Sequence, residues 1–427
     1  MNIKYIIGGI TVTAITIITG GSLYADQKLE KIYQMQHDSA LKIKVNEFDM
    51  GLLSGKAKTT VSLALDPCYP ENTLSFEVME DIKRNFTGYT ITSRIAYPYE
   101  VEQQLKRFFN DQDPLTLTSQ LYWSGKAKLH LHSPTLQHQE GDFFLQSKGI
   151  DFKLDLAEQD YKHLKDISLI VPSVTFRDQQ NYFEVNNLKF NTNDLHLAKL
   201  IPNSKSIFSA DAIRIKSYST YGKNIDFNFE KLNGLTENIL KDQAFQLKNS
   251  FSIEEIQMGE QSTKGTLKFN LAITDVDEKL FQNFYQVIDR NSSVCNSNAD
   301  QEVLQAFLKV LGQGLKIESK ENIIAFNNES QLRADFEASL NKGNYQNLDT
   351  LMATLPMQLT AQGRVETSKE FLAHLVSLGQ ASTITNKSDY VDGLIQNLMV
   401  QGMLQTQGNK LVSRFEYKFG EPRFTNY

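Results

Sequence analysis

The chain has 427 residues, 41% of them hydrophobic and 22% charged, a composition that supports a folded core and excludes a disordered chain. Forty-four basic against 50 acidic residues leave a net charge of −6. The lysines are dispersed, so the basic face that a nucleic-acid backbone demands is missing.

Residues 1–25, MNIKYIIGGITVTAITIITGGSLYA, carry no charge from Tyr5 to Ala25. That length is close to the roughly 20 residues needed to cross a hydrocarbon core. Lys4 and the N-terminal amine flank it on one side, so the positive-inside rule leaves the start in the cytoplasm and exports the rest. The segment reads as a transmembrane signal-anchor. A cleaved signal peptide is its rival, with small residues at Gly20, Gly21, Ser22 and Ala25; Leu23 stands where cleavage wants a small side chain.

Residues 26–42 follow as a short amphipathic helix, with Leu29, Ile32 and Tyr33 on one face. From residue 43 the period changes to two. In KAKTTVSLAL, Ala57, Thr59, Val61, Leu63 and Leu65 point one way and polar residues the other, which marks a half-buried strand. The same texture fills residues 43–275, with Gly, Asn, Asp and Ser between the runs, and antiparallel meanders joined by hairpins are expected. SGKAK occurs at Ser54 to Lys58 and again at Ser124 to Lys128, through duplicated hairpins or through coincidence.

Residues 276–427 form a helical island followed by a C-terminal β region. Leu280, Phe281, Phe284, Val287 and Ile288, then Val303, Leu304, Phe307, Leu308 and Leu311, carry helical spacing. SKEFLAHLVSLG opens a third helix. PMQLTAQGRVETS, MVQGMLQTQGN and KLVSRFEYKFGEPRF read as strands. The expected fold is therefore mainly β with a few helices, an α+β chain of long antiparallel meandering sheets, curved or elongated.

Chemistry is thin. The densest histidine group is His130, His132 and His138. The first two share a strand face at a spacing that can chelate a metal. Glu140 and Asp142 lie close along the chain, but no carboxylate or cysteine at tight spacing completes a set, so the group reads as a solvated strand face. Cys68 and Cys295 both lie beyond the anchor; a disulfide formed after export and two unpaired thiols both stay open. Neither has a ligand at zinc spacing. No GxSxG elbow and no HExxH motif occurs. The acidic pairs Glu254 with Glu255 and Asp275 with Asp277 read as solvent-facing charge at strand ends, so no catalytic residue, cofactor or metal is assigned.

The hydrophobic start running into a short helix, the EFDMGLLSGKAKTTVSLAL segment with Phe48, Gly51, Leu52 and Ser54, and the ending MVQGMLQTQGNKLVSRFEYKFGEPRFTNY together resemble the YdgA-like family of bacterial envelope proteins. The terminal glycine element departs from the family pattern, as Phe419, Gly420 and Glu421. The resemblance covers nearly the whole chain loosely. It implies an inner-membrane protein with its bulk in the periplasm and self-association, without supplying a reaction. The expected role is a non-enzymatic binding or self-association module, with a homodimer, a protein or a lipid as partner. The alternatives are a carrier that shields an amphiphile along a curved sheet and an envelope hydrolase with an unrecognised site. A continuous open apolar groove favours the carrier; a closed, dry core argues against it.

Overall fold

A computed structural model of the chain describes residues 41–64, 73–157, 160–196, 203–218, 225–258, 263–292, 299–326, 330–379 and 387–424. The expected anchor, nearly all of the 26–42 helix, Cys68 and Cys295 lie outside them. Among the described residues no helix is long and apolar enough to cross a membrane. They contain 21 strands and six helices, the mainly β fold expected from the period of two. The chain divides into two compact units, residues 1–204 with 285–300 and residues 205–284 with 301–427.

The first unit is a meander: β1 (Leu41–Met50), β2 (Ser54–Ala64), β3 (Thr73–Asn85), β4 (Gly88–Ala96), α1 (Tyr99–Phe108), β5 (Thr116–Tyr122), β6 (Ala127–Ser133), β7 (Leu136–Glu140), β8 (Phe143–Ser147), β9 (Ile150–Ala157), β10 (Asp160–Arg177) and β11 (Asn181–His196). The first strand begins at Leu41, two residues before the expected switch of period. Strands β6 to β9 are one long hairpin: β6 pairs β9, β7 pairs β8 at its tip, and β10 pairs both β9 and the end of β8.

Residues directly opposite across an antiparallel ladder share a face. Rungs such as Ile82–Ile91–Ser119–Leu129–Leu154–Ile167 therefore put one apolar face together across β3, β4, β5, β6, β9 and β10. Twelve buried residues make this core, all from strands. Helix α1 has no buried residue, so the meander packs its apolar face without it. The β3–β4 turn is pinned from outside, where Trp123 Nε1 donates to the Phe86 carbonyl at 2.9 Å and the ring packs edge-on against Tyr89.

The second unit repeats the meander with longer strands and helical insertions: β12 (Lys205–Ser217), β13 (Ile225–Lys241), β14 (Ala244–Met258), β15 (Thr263–Asp277), α2 (Glu278–Ser292), which begins in this unit, α3 (Ala299–Gly312), β16 (Leu315–Ala325), β17 (Gln331–Leu340), α4 (Leu348–Gln358), β18 (Leu359–Thr367), α5 (Lys369–Gly379), α6 (Lys387–Val400), β19 (Gln405–Gln407), β20 (Lys410–Lys418) and β21 (Glu421–Phe424). Strand β20 pairs β18 on one side and both β19 and β21 on the other.

Helices α2, α3 and α5 stand where the periodicity placed them. Two expected strands are shorter than read. PMQLTAQGRVETS starts in the last turn of α4, which contains Pro356, and Asn347 caps the other end by accepting from the Thr350 amide. MVQGMLQTQGN ends α6 at Val400 and contributes only Gln405–Gln407 as strand. The SGKAK copies differ: the first lies in β2, whereas the second makes a turn with Gly125 at φ 89° before β6, so they are not duplicated hairpins.

Candidate functional site

The histidines separate into two settings. His130 and His132 point outward from β6, on the face opposite Leu129. The β6–β9 register sets Asp151 directly across from His132 and Lys153 across from His130. Asp151 Oδ1 lies 2.6 Å from His130 Nε2 and 3.3 Å from His132 Nδ1. The hydrogen bond from His130 holds the Asp151 carboxyl below the usual carboxylate range against the opposing effect of burial, and the bond from His132 adds to it. The carboxylate missing from the local sequence is thus supplied by the return strand of the hairpin. The face is solvated, with side-chain exposures of 44% for His130, 48% for His132 and 35% for Asp151.

His138 is not part of this group. It packs edge-on against Phe108 at 4.5 Å and lies 3.7 Å from Glu140, while Asp142 accepts from Gln179 at 2.8 Å. The acidic pairs have separate duties too. Glu254 pairs with Lys231 at 2.7 Å and Glu255 with Lys264 at 2.8 Å; the Lys264 hydrogen bond lowers the Glu255 carboxyl. Asp277 accepts from the Leu280 amide at 2.9 Å and so starts α2, and Asp275 occupies a left-handed position at φ 64°.

One polar residue that the alternation places inside was passed over in the sequence. Phe76, Val78, Glu80 and Ile82 share the core face of β3, and Glu80 is buried with Ser93 Oγ donating to Oε1 at 3.3 Å. Its position in the period-two pattern was the available signal.

The largest continuous feature is the apolar face of the second unit. The ladders set Ala210, Leu232, Ile253, Leu267, Ile324, Leu332, Thr367 and Leu411 opposite one another in turn, a single rung across eight strands. A second rung runs Leu247–Ile273–Ile317–Ala338–Ala361–Tyr417–Pro422. The bulge at Glu321, φ 57°, keeps both on one face of β16.

Helices cover the two ends of this face. Leu304, Leu308 and Leu311 of α3 and Leu351 and Leu355 of α4 pack on Leu315 and Leu340 at one end. At the other, Leu372 and Val376 of α5 and Val391 and Ile395 of α6 pack on Leu411, and Phe371 of α5 stacks on Phe326 at 5.5 Å. Between the covers runs an aromatic band. Phe251 faces Phe269, and Phe336, Gly363, Phe415 and Phe424 follow one another across β17, β18, β20 and β21; between the two groups β16 places the buried polar Ser319 opposite Phe336.

The Phe415 ring lies over Gly363, where a Cβ would overlap it, and stacks with Phe336 at 6.4 Å. Phe269 is 44% exposed, Phe336 36%, Ile324 37% and Phe424 40%. At about 4.8 Å per strand, the seven rows from β14 to β21 span roughly 30 Å. The opposite face is charged: Lys316 bridges Glu318 at 2.6 Å and Glu337 at 2.9 Å, and Glu366 pairs with Lys410 and Arg364.

Residues 2–424, almost all of the sequence, match a family described as bacterial protein of unknown function, DUF945. The chain belongs to the DUF945 family. No curated protein and no solved structure matches the chain. Within this DUF945 chain, the histidines and the ion-paired carboxylates described above are all partly exposed, and Glu80 is the carboxylate enclosed in a core face. A concavity of about 340 Å³ on the second unit is lined by Gln331, Arg333, Glu366, Ser368, Glu370 and Lys410, a charged surface already engaged in ion pairs.

Proposed function

We propose that this chain is a non-enzymatic envelope binding protein, tethered to the bacterial inner membrane by residues 1–25, whose second unit holds the apolar chain of an amphiphile in the periplasm. The observation that carries the reading is the uncovered aromatic band between the two helical covers. An apolar face that its own protein leaves partly in water is a binding surface or a liability, and this one has flanking aliphatic rungs and a charged reverse side. Its span of roughly 30 Å across the rows exceeds the roughly 15 Å that one acyl chain fills in a bilayer leaflet, so a single chain fits along it. An acyl chain laid along it would bury apolar area at about 25 cal/mol per Å². The charge-free Tyr5–Ala25 segment supports the tether, and dispersed ion-paired carboxylates support the absence of a reaction.

The test is site-specific photo-crosslinking of the full-length protein in cells. A photoreactive residue at Phe269, Phe336 or Phe415 is expected to capture lipid, and the same residue at Lys268 or Glu337, one position away on the charged face, is not. Equal labelling of both faces overturns the reading. Capture of a second copy at Phe336, with a dimer mass by light scattering, would replace the amphiphile with self-association as the use of this face.

A further inference from the structure

We propose that His130, His132 and Asp151 form a binding site for a divalent first-row transition ion, with zinc and copper as the best fits. The two imidazole nitrogens and the carboxylate oxygen all lie within 4.8 Å of one another, with contacts of 2.6 and 3.3 Å from the imidazoles to Asp151 Oδ1. An ion bound at about 2.0–2.2 Å to nitrogen and oxygen donors holds its ligands roughly 3 Å apart. Accepting one therefore needs only small shifts of two imidazoles that already converge on the Asp151 carboxylate.

The donor set selects the class of ion. Imidazole favours zinc, copper and nickel, whereas magnesium and calcium need oxygen-rich shells. The scaffold is rigid where the ligands are mounted: the reverse faces of β6 and β9 carry Leu129 and Leu154, both buried in the core, and the register between the strands is unbroken from Ala127 to Ser133. Thr118 lies opposite His130 and Thr116 opposite His132 on β5, while Ile170 of β10 lies opposite Asp151. Lys153 and Lys128 are cationic neighbours on this face, Lys128 being paired with Asp155 at 2.8 Å. The outer side is open to solvent, so water or a partner's side chain completes the coordination. The site belongs to the first unit and is independent of the apolar band on the second.

The probe is Cu²⁺ or Zn²⁺ alone, added to full-length protein purified with a histidine-free tag. One equivalent of Cu²⁺ is expected per chain, with imidazole-nitrogen hyperfine structure in its EPR spectrum, and Zn²⁺ is expected to compete for it. Asp151→Asn should weaken binding by about tenfold or more, and His130→Gln combined with His132→Gln should abolish it. His163→Gln, which removes an imidazole 3.2 Å from Asp194, should leave the affinity unchanged. These side chains are on a solvated face, and a retained circular dichroism spectrum confirms that the variants fold. Absence of binding up to about 100 µM metal, roughly −5.5 kcal/mol, overturns the proposal. So does binding that survives the double histidine variant.

Discussion

The two units solve the same problem differently. Both are antiparallel meanders with one apolar and one charged face, but the first packs that face into a core and the second leaves its middle in water. In the first unit successive positions of β4, β5 and β6 alternate buried with exposed or half-buried, and the buried members of the core come from β2 to β6, β9 and β10. In the second, β13 and β16 are half-buried along most of their length, and helices seal only the ends. Sealing a sheet requires strands whose side chains meet other side chains; covering its ends with helices stops short of that and leaves a strip. The contrast separates a unit built for stability from one whose apolar surface is available to a ligand.

The contrast breaks most readily in the first core. Leu154, fully buried on β9, should cost about 2–5 kcal/mol on truncation to alanine, because the cavity adds to the lost transfer energy. Urea unfolding measures it, and a loss under about 1 kcal/mol would mean that this face is not closed. Gly88→Ala comes next. Its φ of +155° places a new Cβ on the Leu121 carbonyl, and backbone in a ladder yields little, so about 1–3 kcal/mol is expected from the same measurement. Phe336→Ala, on the open band with 36% of the residue exposed, should cost about 1–2 kcal/mol despite removing a larger side chain, since only the covered two thirds counts toward burial. A cost equal to that of Leu154→Ala would erase the distinction between the units.

The strands were largely legible in the sequence because alternation is a local signal: Ala57, Thr59 and Val61 announce a face without reference to any partner. Helix α1 was not legible, since YEVEQQLKRF has few apolar positions and is stabilised by local charge, Glu102 with Lys106 at 2.8 Å and a first turn of glutamates. Helix α4 was hidden by Pro356, which reads as a break. The candidate sites depended on register, which is not local. Asp151 reaches His132 only because β7 and β8 are inserted at the tip of the hairpin, and the rung from Ala210 to Leu411 is spread over about 200 residues of sequence.

The smallest expected effect probes the outward face of the first unit. Asp151 has a carboxyl held below its ordinary value of 3.8, first by the hydrogen bond from His130 and then, against desolvation, by His132. A depressed folded-state value means that the unfolded chain binds the proton more readily. The contribution to stability is therefore complete above about 3.8 and disappears as the pH falls through the lower folded value. Because the side chain is 35% exposed, solvent screening limits this to under about 1 kcal/mol. Asp151→Asn should accordingly be less stable than the parent at pH 6 by that small amount, and the two should converge as the pH is taken down through the lowered folded value. Denaturant midpoints at the two pH values, in a metal chelator, measure the difference. A gap that stays constant with pH would show that the carboxylate's charge does nothing for the β6–β9 pair, and that Asp151 and its histidines are held by the ladder alone.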